Sequence, residues 1–222
     1  MSITTNTATN TATNTAVATN IATIAAKIAA TIGIGFCLAA VWAVPMQAAG
    51  RQQIDSAKSR IQVRVFKTGL LSALGHDHTI EAPVAGGSFS EADGAVDLRV
   101  SSATLKVVDE HISETDRAEI QKTMLGSSVL DVQKYPEIEF RSTRVEKTAK
   151  GWLISGSLTL HGQTKPVKVQ ATEESGHYRG SVAIKQTDFG ITPVSAAGGS
   201  IKVKDEVRIE FDIVGAGEGA GR

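Results

Sequence analysis

Residues 156–167 read Gly-Ser-Leu-Thr-Leu-His-Gly-Gln-Thr-Lys-Pro-Val, and residues 131–142 read Asp-Val-Gln-Lys-Tyr-Pro-Glu-Ile-Glu-Phe-Arg-Ser. Apolar and polar residues alternate in both, as where Glu137 and Glu139 alternate with Ile138 and Phe140. This period of two is typical of a β-strand with one buried and one solvated face. Neither stretch contains a set of side chains suited to catalysis. Together they predict strands of a β-sheet and give no indication of a catalytic site.

The same alternation recurs along the chain from Ile54 onward. Turn sequences such as Glu91-Ala92-Asp93-Gly94 and Glu174-Ser175-Gly176 separate the alternating segments. Short strands at this spacing, without helices between them, indicate an antiparallel sandwich or barrel. One helical segment interrupts them at residues 113–125. Ser113 is a suitable N-cap there and acidic residues fill the first turn, so we expect a short helix over one end of the sheet.

The amino-terminal residues 1–49 differ from the rest of the chain. A Thr/Asn/Ala tract of low complexity comes first, and an almost wholly apolar run at residues 28–44 follows Lys27. A basic flank, an apolar run and small residues after it are the parts of a secretory signal peptide. We therefore predict a signal peptide at about residues 27–49, and a periplasmic or secreted protein. An uncleaved anchor is the alternative.

Charge and cysteine content exclude several classes of function. The whole chain has 23 Lys and Arg against 23 Asp and Glu, and only Lys27 of these lies before residue 51, which leaves 22 against 23. A nearly neutral body argues against nucleic-acid binding, which needs clustered basic residues. The single cysteine is Cys37, so the body offers no disulfide and no thiolate for catalysis or metal binding.

Four stretches, in this order, resemble the YceI-like family of lipocalin-like, polyisoprenoid-binding proteins. They are residues 113–125, 128–142 with Lys134-Tyr135-Pro136, 156–167 with His161-Gly162, and Asp188-Phe189-Gly190-Ile191. The resemblance spans about residues 54–213. It implies an all-β fold: an eight-stranded antiparallel lipocalin-like β-barrel with one short helix, whose apolar interior accommodates an isoprenoid or another lipid chain. Members are usually exported.

The resemblance also sets the predicted domain organisation. Residues 50–214 form the lipid-binding barrel, after the tract and signal peptide of residues 1–49 and before a flexible tail at residues 215–222. One departure is the first hairpin, where Gly75-His76-Asp77-His78 replaces the family's shorter stretch with a His-Gly pair. We interpret the chain as a variant branch of the family.

The alternation assigns one face of each strand to the barrel interior. On the pattern alone these side chains would fill the interior by packing on each other, whereas the resemblance favours a tunnel that holds a ligand. The predicted tunnel residues are Val63, Val65, Phe89, Val96, Leu98, Phe140, Trp152, Ile154, Leu158, Val182, Ile209 and Phe211.

Histidines near the first hairpin suggest a polar rim at the tunnel mouth. His76 and His78 are two residues apart, so on a strand both point to the same face. We assign them to a rim that meets a ligand headgroup. The same spacing suits a divalent metal, but a metal site needs three or four ligands, and His111, on the loop ahead of the helix, is the only plausible third histidine. We therefore predict no metal site, with these three histidines as the candidates for one.

The function predicted from the sequence is that of an exported, non-enzymatic binding protein. It sequesters or carries an apolar isoprenoid or lipid chain, with no cofactor and no catalytic residue. A membrane-associated partner and a homodimer stay open. Two alternatives remain: a metal- or haem-associated protein that uses His76 and His78, and a stress-response adaptor whose barrel is filled.

Overall fold

The structure is a computed structural model that describes residues 50–69, 77–196 and 201–217. These residues belong to one compact unit, Met46–Arg222. The predicted signal peptide lies outside the described residues, as does His76. No helix within the described ranges has the length and apolar character needed to cross a membrane.

Twelve strands and one α-helix make up the described part of the chain. The helix α1 spans Glu114–Leu125. The strands are β1 (Gln52–Gln53), β2 (Arg60–Thr68), β3 (His78–Glu81), β4 (Val84–Ser90), β5 (Ala95–Ser101), β6 (Lys106–Val107), β7 (Glu137–Thr148), β8 (Gly151–Leu160), β9 (Gln163–Glu174), β10 (His177–Lys185), β11 (Ser195–Ala196) and β12 (Ile201–Val214).

All strands pair in one antiparallel, curled sheet, so the predicted all-β class with one short helix is confirmed. The order is β1-β4-β5-β7-β8-β9-β10-β12-β2-β3-β6, and β11 pairs with the outer part of β12. Neighbours from β7 to β10 are joined by tight hairpins. β1 and β2 follow each other in the chain but lie far apart in this order, because β1 pairs with β4 while β2 pairs with β12.

The structure does not confirm a count of eight strands, because strands are interrupted and short ones are added. Between β1 and β2, Asp55 accepts hydrogen bonds from the N–H groups of Ala57 and Lys58 and forms a turn. Between β3 and β4 stands Pro83, which has no N–H to donate to a ladder. The strands β6 and β11 have only two residues each, so the sequence could not show them as alternating segments.

Helix α1 begins as the sequence predicts. The Ser113 side chain accepts a hydrogen bond from the N–H of Asp116 at 3.0 Å, as an N-cap does. Met124 is the one buried residue of the helix. Ile120 and Leu125, which are partly buried, also pack against the core. Polar contacts add to this attachment: Gln121 bonds Val107 and Leu105, and Arg117 donates to the carbonyl of Asp109.

The family stretches meet at the α1 end of the sheet. The rings of Tyr135 and His161 pack edge to face with centroids 4.5 Å apart. A Cβ on Gly162 would lie 2.4 Å from the Tyr135 ring, so only glycine fits there, and its φ of 70° also favours glycine. Nδ1 of His161 lies 3.1 Å from the carbonyl oxygen of Phe189, which is almost fully buried.

The described part of the predicted tail is attached to β1. Ile54 forms a β-bridge with Gly215, and the N–H of Ala216 donates to the carbonyl of Gln53 at 2.7 Å. Residues 218–222 lie outside the described ranges. The domain boundaries at residues 50 and 214 stay predictions.

Candidate functional site

The curled sheet encloses a narrow cavity of about 170 Å³ at the end where the hairpin turns lie. The turns in question are those between β4 and β5, β7 and β8, and β9 and β10. Apart from Ser90, Glu91 and Tyr178, every lining side chain is aliphatic or a Phe or Trp ring. The lining residues are Ile54, Ile61, Phe89, Ser90, Glu91, Ala95, Val96, Leu98, Phe140, Val145, Trp152, Ile154, Leu158, Val167, Val169, Ala171, Tyr178, Val182, Ile209, Phe211 and Ile213.

A wide cavity of about 680 Å³ lies at the opposite end, against α1. Its apolar floor consists of inward-facing strand residues, which include Val63, Val65, Ile80 and Val207. Its rim is polar and carries both signs of charge. The polar rim residues are Lys67, His78, His111, Ser113, Asp116, Glu119, Thr123, Gln186 and Lys202.

The two cavities adjoin, because four residues line both of them: Ile61, Leu98, Leu158 and Ile209. All twelve predicted tunnel residues line one cavity or the other. Val63 and Val65 line only the wide cavity; Leu98, Leu158 and Ile209 line both; the other seven line only the narrow one. Whether these side chains contact a ligand is untested and stays a prediction.

Two inward-facing glycines set the width of the narrow cavity. A Cβ on Gly156 of β8 would lie 2.5 Å from the Phe140 ring. A Cβ on Gly180 of β10 would lie 2.6 Å from the ring of Phe211, its partner on β12. Each glycine thus lets a phenylalanine ring lie flat against the sheet, which leaves the space beyond the ring open.

His78 is placed at the rim of the wide cavity, but its ring is already bound by the protein. Its Nδ1 lies 2.6 Å from Oδ2 of Asp109, and Oδ1 of Asp109 accepts the N–H of Thr79 at 2.6 Å. Asp109 is buried, with a side-chain exposure of 7%. Asp109 thus fixes the orientation of the His78 ring.

The metal candidates do not form a ligand set in the described part of the chain. His78 and His111 both line the wide cavity, and His76 lies outside the described residues. Over residues 50–69, 77–196 and 201–217, no group of three or more His, Cys, Asp or Glu side chains is placed to hold a metal ion.

At the far end of the narrow cavity, Tyr178 meets Glu91. The Tyr178 hydroxyl donates a hydrogen bond to Oε1 of Glu91, and its ring packs edge-on to Phe89 with centroids 4.8 Å apart. Burial, together with the neighbouring Glu91 carboxylate, raises the pKa of Tyr178 well above its usual value. The phenol therefore remains a hydrogen-bond donor over the whole physiological pH range.

A family model described as the YceI-like domain matches residues 52–215. The chain belongs to the YceI-like family. The sequence resemblance is thus confirmed over nearly the whole described part. The variant first hairpin at residues 75–78 stays a prediction, because Gly75 and His76 lie outside the described residues.

Individual relatives of this YceI-like chain share about a third of their aligned residues with it, or fewer. The UPF0312 protein of Yersinia pestis is 36% identical over 120 residues, which cover 48% of this chain and 62% of that protein. The alignment thus spans less than two thirds of that relative. BcnA of Burkholderia cenocepacia is 20% identical, with a TM-score of 0.52 over 73% of this chain and 99% of BcnA, and it shares the fold. A polyisoprenoid binding domain from Saccharophagus degradans is 15% identical, with a TM-score of 0.49 over 75% of this chain and 97% of that one.

Two site features of the YceI-like chain escaped the sequence analysis. Asp109 lies in the loop between β6 and α1, where the sequence shows no periodic pattern. Nothing in the sequence therefore indicates that it lies beside the first hairpin. The contact of Tyr178 with Glu91 joins positions 87 residues apart and has no local signal either. The pairing of β3 with β6 brings Asp109 beside His78, and the curling of the sheet brings Tyr178 to Glu91.

Proposed function

We propose that the chain is an exported, non-enzymatic carrier that binds the apolar chain of an isoprenoid or another lipid inside its curled sheet. The observation that carries the proposal is the pair of adjoining cavities, whose walls are apolar and whose wide end has a polar rim. Cavities of small-molecule sites commonly measure about 300–1,000 Å³ and combine apolar walls with few polar groups. Family membership agrees with this proposal.

The proposal includes a closed barrel of eight strands. Its support is that β1 and β2 run on as one bent strand, and β3 and β4 as a second, antiparallel to the first: Ile54 N–H donates to Gly87 O and Ala82 N–H to Ile61 O. Counted in this way, and without the short β6 and β11, the sheet has eight strands that return to their starting point through the pairing of β12 with β2. A barrel of this size has room for one small ligand.

Burial of apolar surface would drive binding. Each carbon of the chain removed from water contributes about 0.8 kcal/mol, so a five-carbon isoprene unit contributes a few kcal/mol before entropy costs. The polar rim would keep a headgroup hydrated at the mouth. No covalent step is required, because the protein's task would be to shield a water-insoluble chain.

Export is a part of the proposal that depends on residues 27–49. Their basic flank, apolar run and small residues have the composition of a signal peptide. An aqueous compartment outside the cytoplasm would give a lipid carrier its role, and a membrane-associated partner would receive or supply the chain.

The filled-barrel adaptor is the second candidate, and the cavities argue against it. A filled interior would pack at the density of an organic crystal and leave few voids larger than a water molecule. The adjoining cavities of about 170 and 680 Å³ exceed this by far.

Tryptophan fluorescence provides a test of the proposal. Trp152 lines the narrow cavity, and Trp42 is the only other tryptophan, so in a Trp42→Phe chain the signal reports on the cavity alone. A linear prenol should change this signal saturably at one site. Leu98→Phe, which narrows the junction of the cavities, should weaken binding about tenfold or more.

Arg99→Lys is the matched control, because Arg99 is exposed on the other face of the same strand. It should bind as the parent does. No saturable change in the Trp42→Phe parent, or equal binding by the parent and its Leu98→Phe derivative, would contradict the proposal.

A further inference from the structure

A contact that crosses the sheet spans the far end of the narrow cavity. Tyr178 belongs to β10, whose neighbours are β9 and β12, whereas Glu91 follows β4, whose neighbours are β1 and β5. Their hydrogen bond therefore spans strands that do not pair with each other. A contact of this kind lies across an end of the curled sheet rather than along it.

The side-chain hydroxyls at this end are both hydrogen-bonded within the protein. The Tyr178 hydroxyl gives its proton to Glu91, and the Ser90 hydroxyl donates to Asp93 at 2.9 Å while accepting the N–H of Asp93 at 3.1 Å. Every other lining residue of the narrow cavity is apolar. The end is thus suited to the hydrocarbon terminus of a chain and offers little to a second polar group.

We infer that the Tyr178 ring, held in place by Glu91, forms the end wall of the binding site and sets the longest apolar chain that the protein takes up fully. The inference rests on the proposed lipid-binding function. Tyr178 is the residue that determines specificity for length, and Glu91 is a positioning residue that acts through it. The ring also packs edge to face with Phe89, which helps to hold it in place.

The cavity volumes give the expected length. An apolar cavity of about 150 Å³ holds benzene, so the narrow cavity of about 170 Å³ has room for about six carbons, close to one isoprene unit. By the same scaling, the wide cavity of about 680 Å³ holds roughly 25 carbons. Chain uptake should therefore end at about six isoprene units.

The test is a titration of the purified chain with linear prenols of increasing length. For the wild-type protein, affinity should rise with each added unit up to about six units and then stay constant. In Tyr178→Ala and in Glu91→Ala the rise should continue by one or two units, so that the longer prenols gain about tenfold in affinity. Glu206→Ala, an exposed acidic residue on β12 near the opposite end, is the control and should keep the wild-type limit.

Each outcome decides a different point. Wild-type affinity that rises without a limit, or a limit that neither variant moves, overturns the inference while the proposed function stands. A shift in Tyr178→Ala alone overturns the role of Glu91. Glu91 is exposed in a turn, so its variant tests the end wall even if Tyr178→Ala does not fold. Binding of no prenol by the wild-type chain contradicts the proposed function itself, and the inference falls with it.

Discussion

The carboxylate of Asp109 binds His78 and the backbone of Thr79 at once, with both distances at 2.6 Å. The carbonyl of the same residue accepts two hydrogen bonds from the Arg117 guanidinium on α1, at 3.2 and 2.6 Å. Asp109 therefore connects the first hairpin with the helix that lies against the wide cavity.

Replacement of Asp109 by alanine should destabilise the protein by about 1–3 kcal/mol, because it leaves the partly buried N–H of Thr79 and the ring of His78 without their partner. Urea unfolding of Asp109→Ala measures this. Glu110→Ala, the exposed neighbour, should change the free energy of unfolding by less than about 0.5 kcal/mol. Equal free energies of unfolding for the two variants would show that the contacts of Asp109 do not contribute to stability.

Substitution of Gly156 by alanine should destabilise the protein by about 1–3 kcal/mol. The added Cβ would lie 2.5 Å from Cζ of Phe140 and 2.6 Å from the carbonyl oxygen of Arg141, so the ring must move into the narrow cavity. The melting temperature and the affinity for a prenol should therefore both fall. Gly86→Ala is the control, since its Cβ would meet only Nη2 of Arg99 at 3.8 Å. A Gly156→Ala protein with unchanged melting temperature and prenol affinity would refute the close approach of the Phe140 ring to β8.

The sequence predicted the inward face of the sheet because that face depends on local periodicity. Leu98, Phe140 and Leu158 were assigned to the interior from the alternation, and all three line a cavity. The helix at residues 113–125 was predicted for the same reason, since its N-cap and first turn are local signals.

Features that depend on long-range contacts across the curled sheet were beyond sequence reasoning. Alternation cannot distinguish a filled interior from an open one, because the same side chains face inward in both. The breaks at Asp55 and Pro83 changed the strand count, and the contacts of Asp109 and Tyr178 join distant parts of the chain. Long-range contacts of this kind leave no periodic trace.

Asp212 should make stability depend on pH. Burial of Asp212 opposes its ionisation, but hydrogen bonds from Arg179 and His177 and the charges of these residues outweigh burial and lower the pKa of Asp212. A carboxyl whose pKa is lower in the folded than in the unfolded state stabilises the fold above the unfolded pKa of about 4, and this contribution is lost as pH falls through the folded value.

Asp212→Asn should therefore be less stable than the wild type by about 1 kcal/mol at neutral pH, and the difference should narrow below about pH 4. Urea unfolding across this pH range measures the difference. Glu206→Gln, on the same strand, should show no such trend. A constant difference from neutral to acidic pH would contradict the assigned role of Asp212.

Chelation of metals should leave the protein unchanged. The described residues contain no group of three His, Cys, Asp or Glu side chains placed for a metal, and the ring of His78 is held by Asp109. We expect the melting temperature to be the same with and without a chelator, and metal analysis to find less than one equivalent. A stoichiometric metal that is lost in His78→Ala would instead favour the metal-associated alternative.

The most direct test of lipid carriage is organic extraction of the purified protein, followed by mass spectrometry of the extract. We predict that the wild type and Arg99→Lys each yield an apolar chain in about equimolar amount. Leu98→Phe should yield much less, because the larger side chain narrows the junction between the cavities. An extract of the wild-type protein without any apolar chain, or the same yield from all three proteins, would contradict lipid carriage.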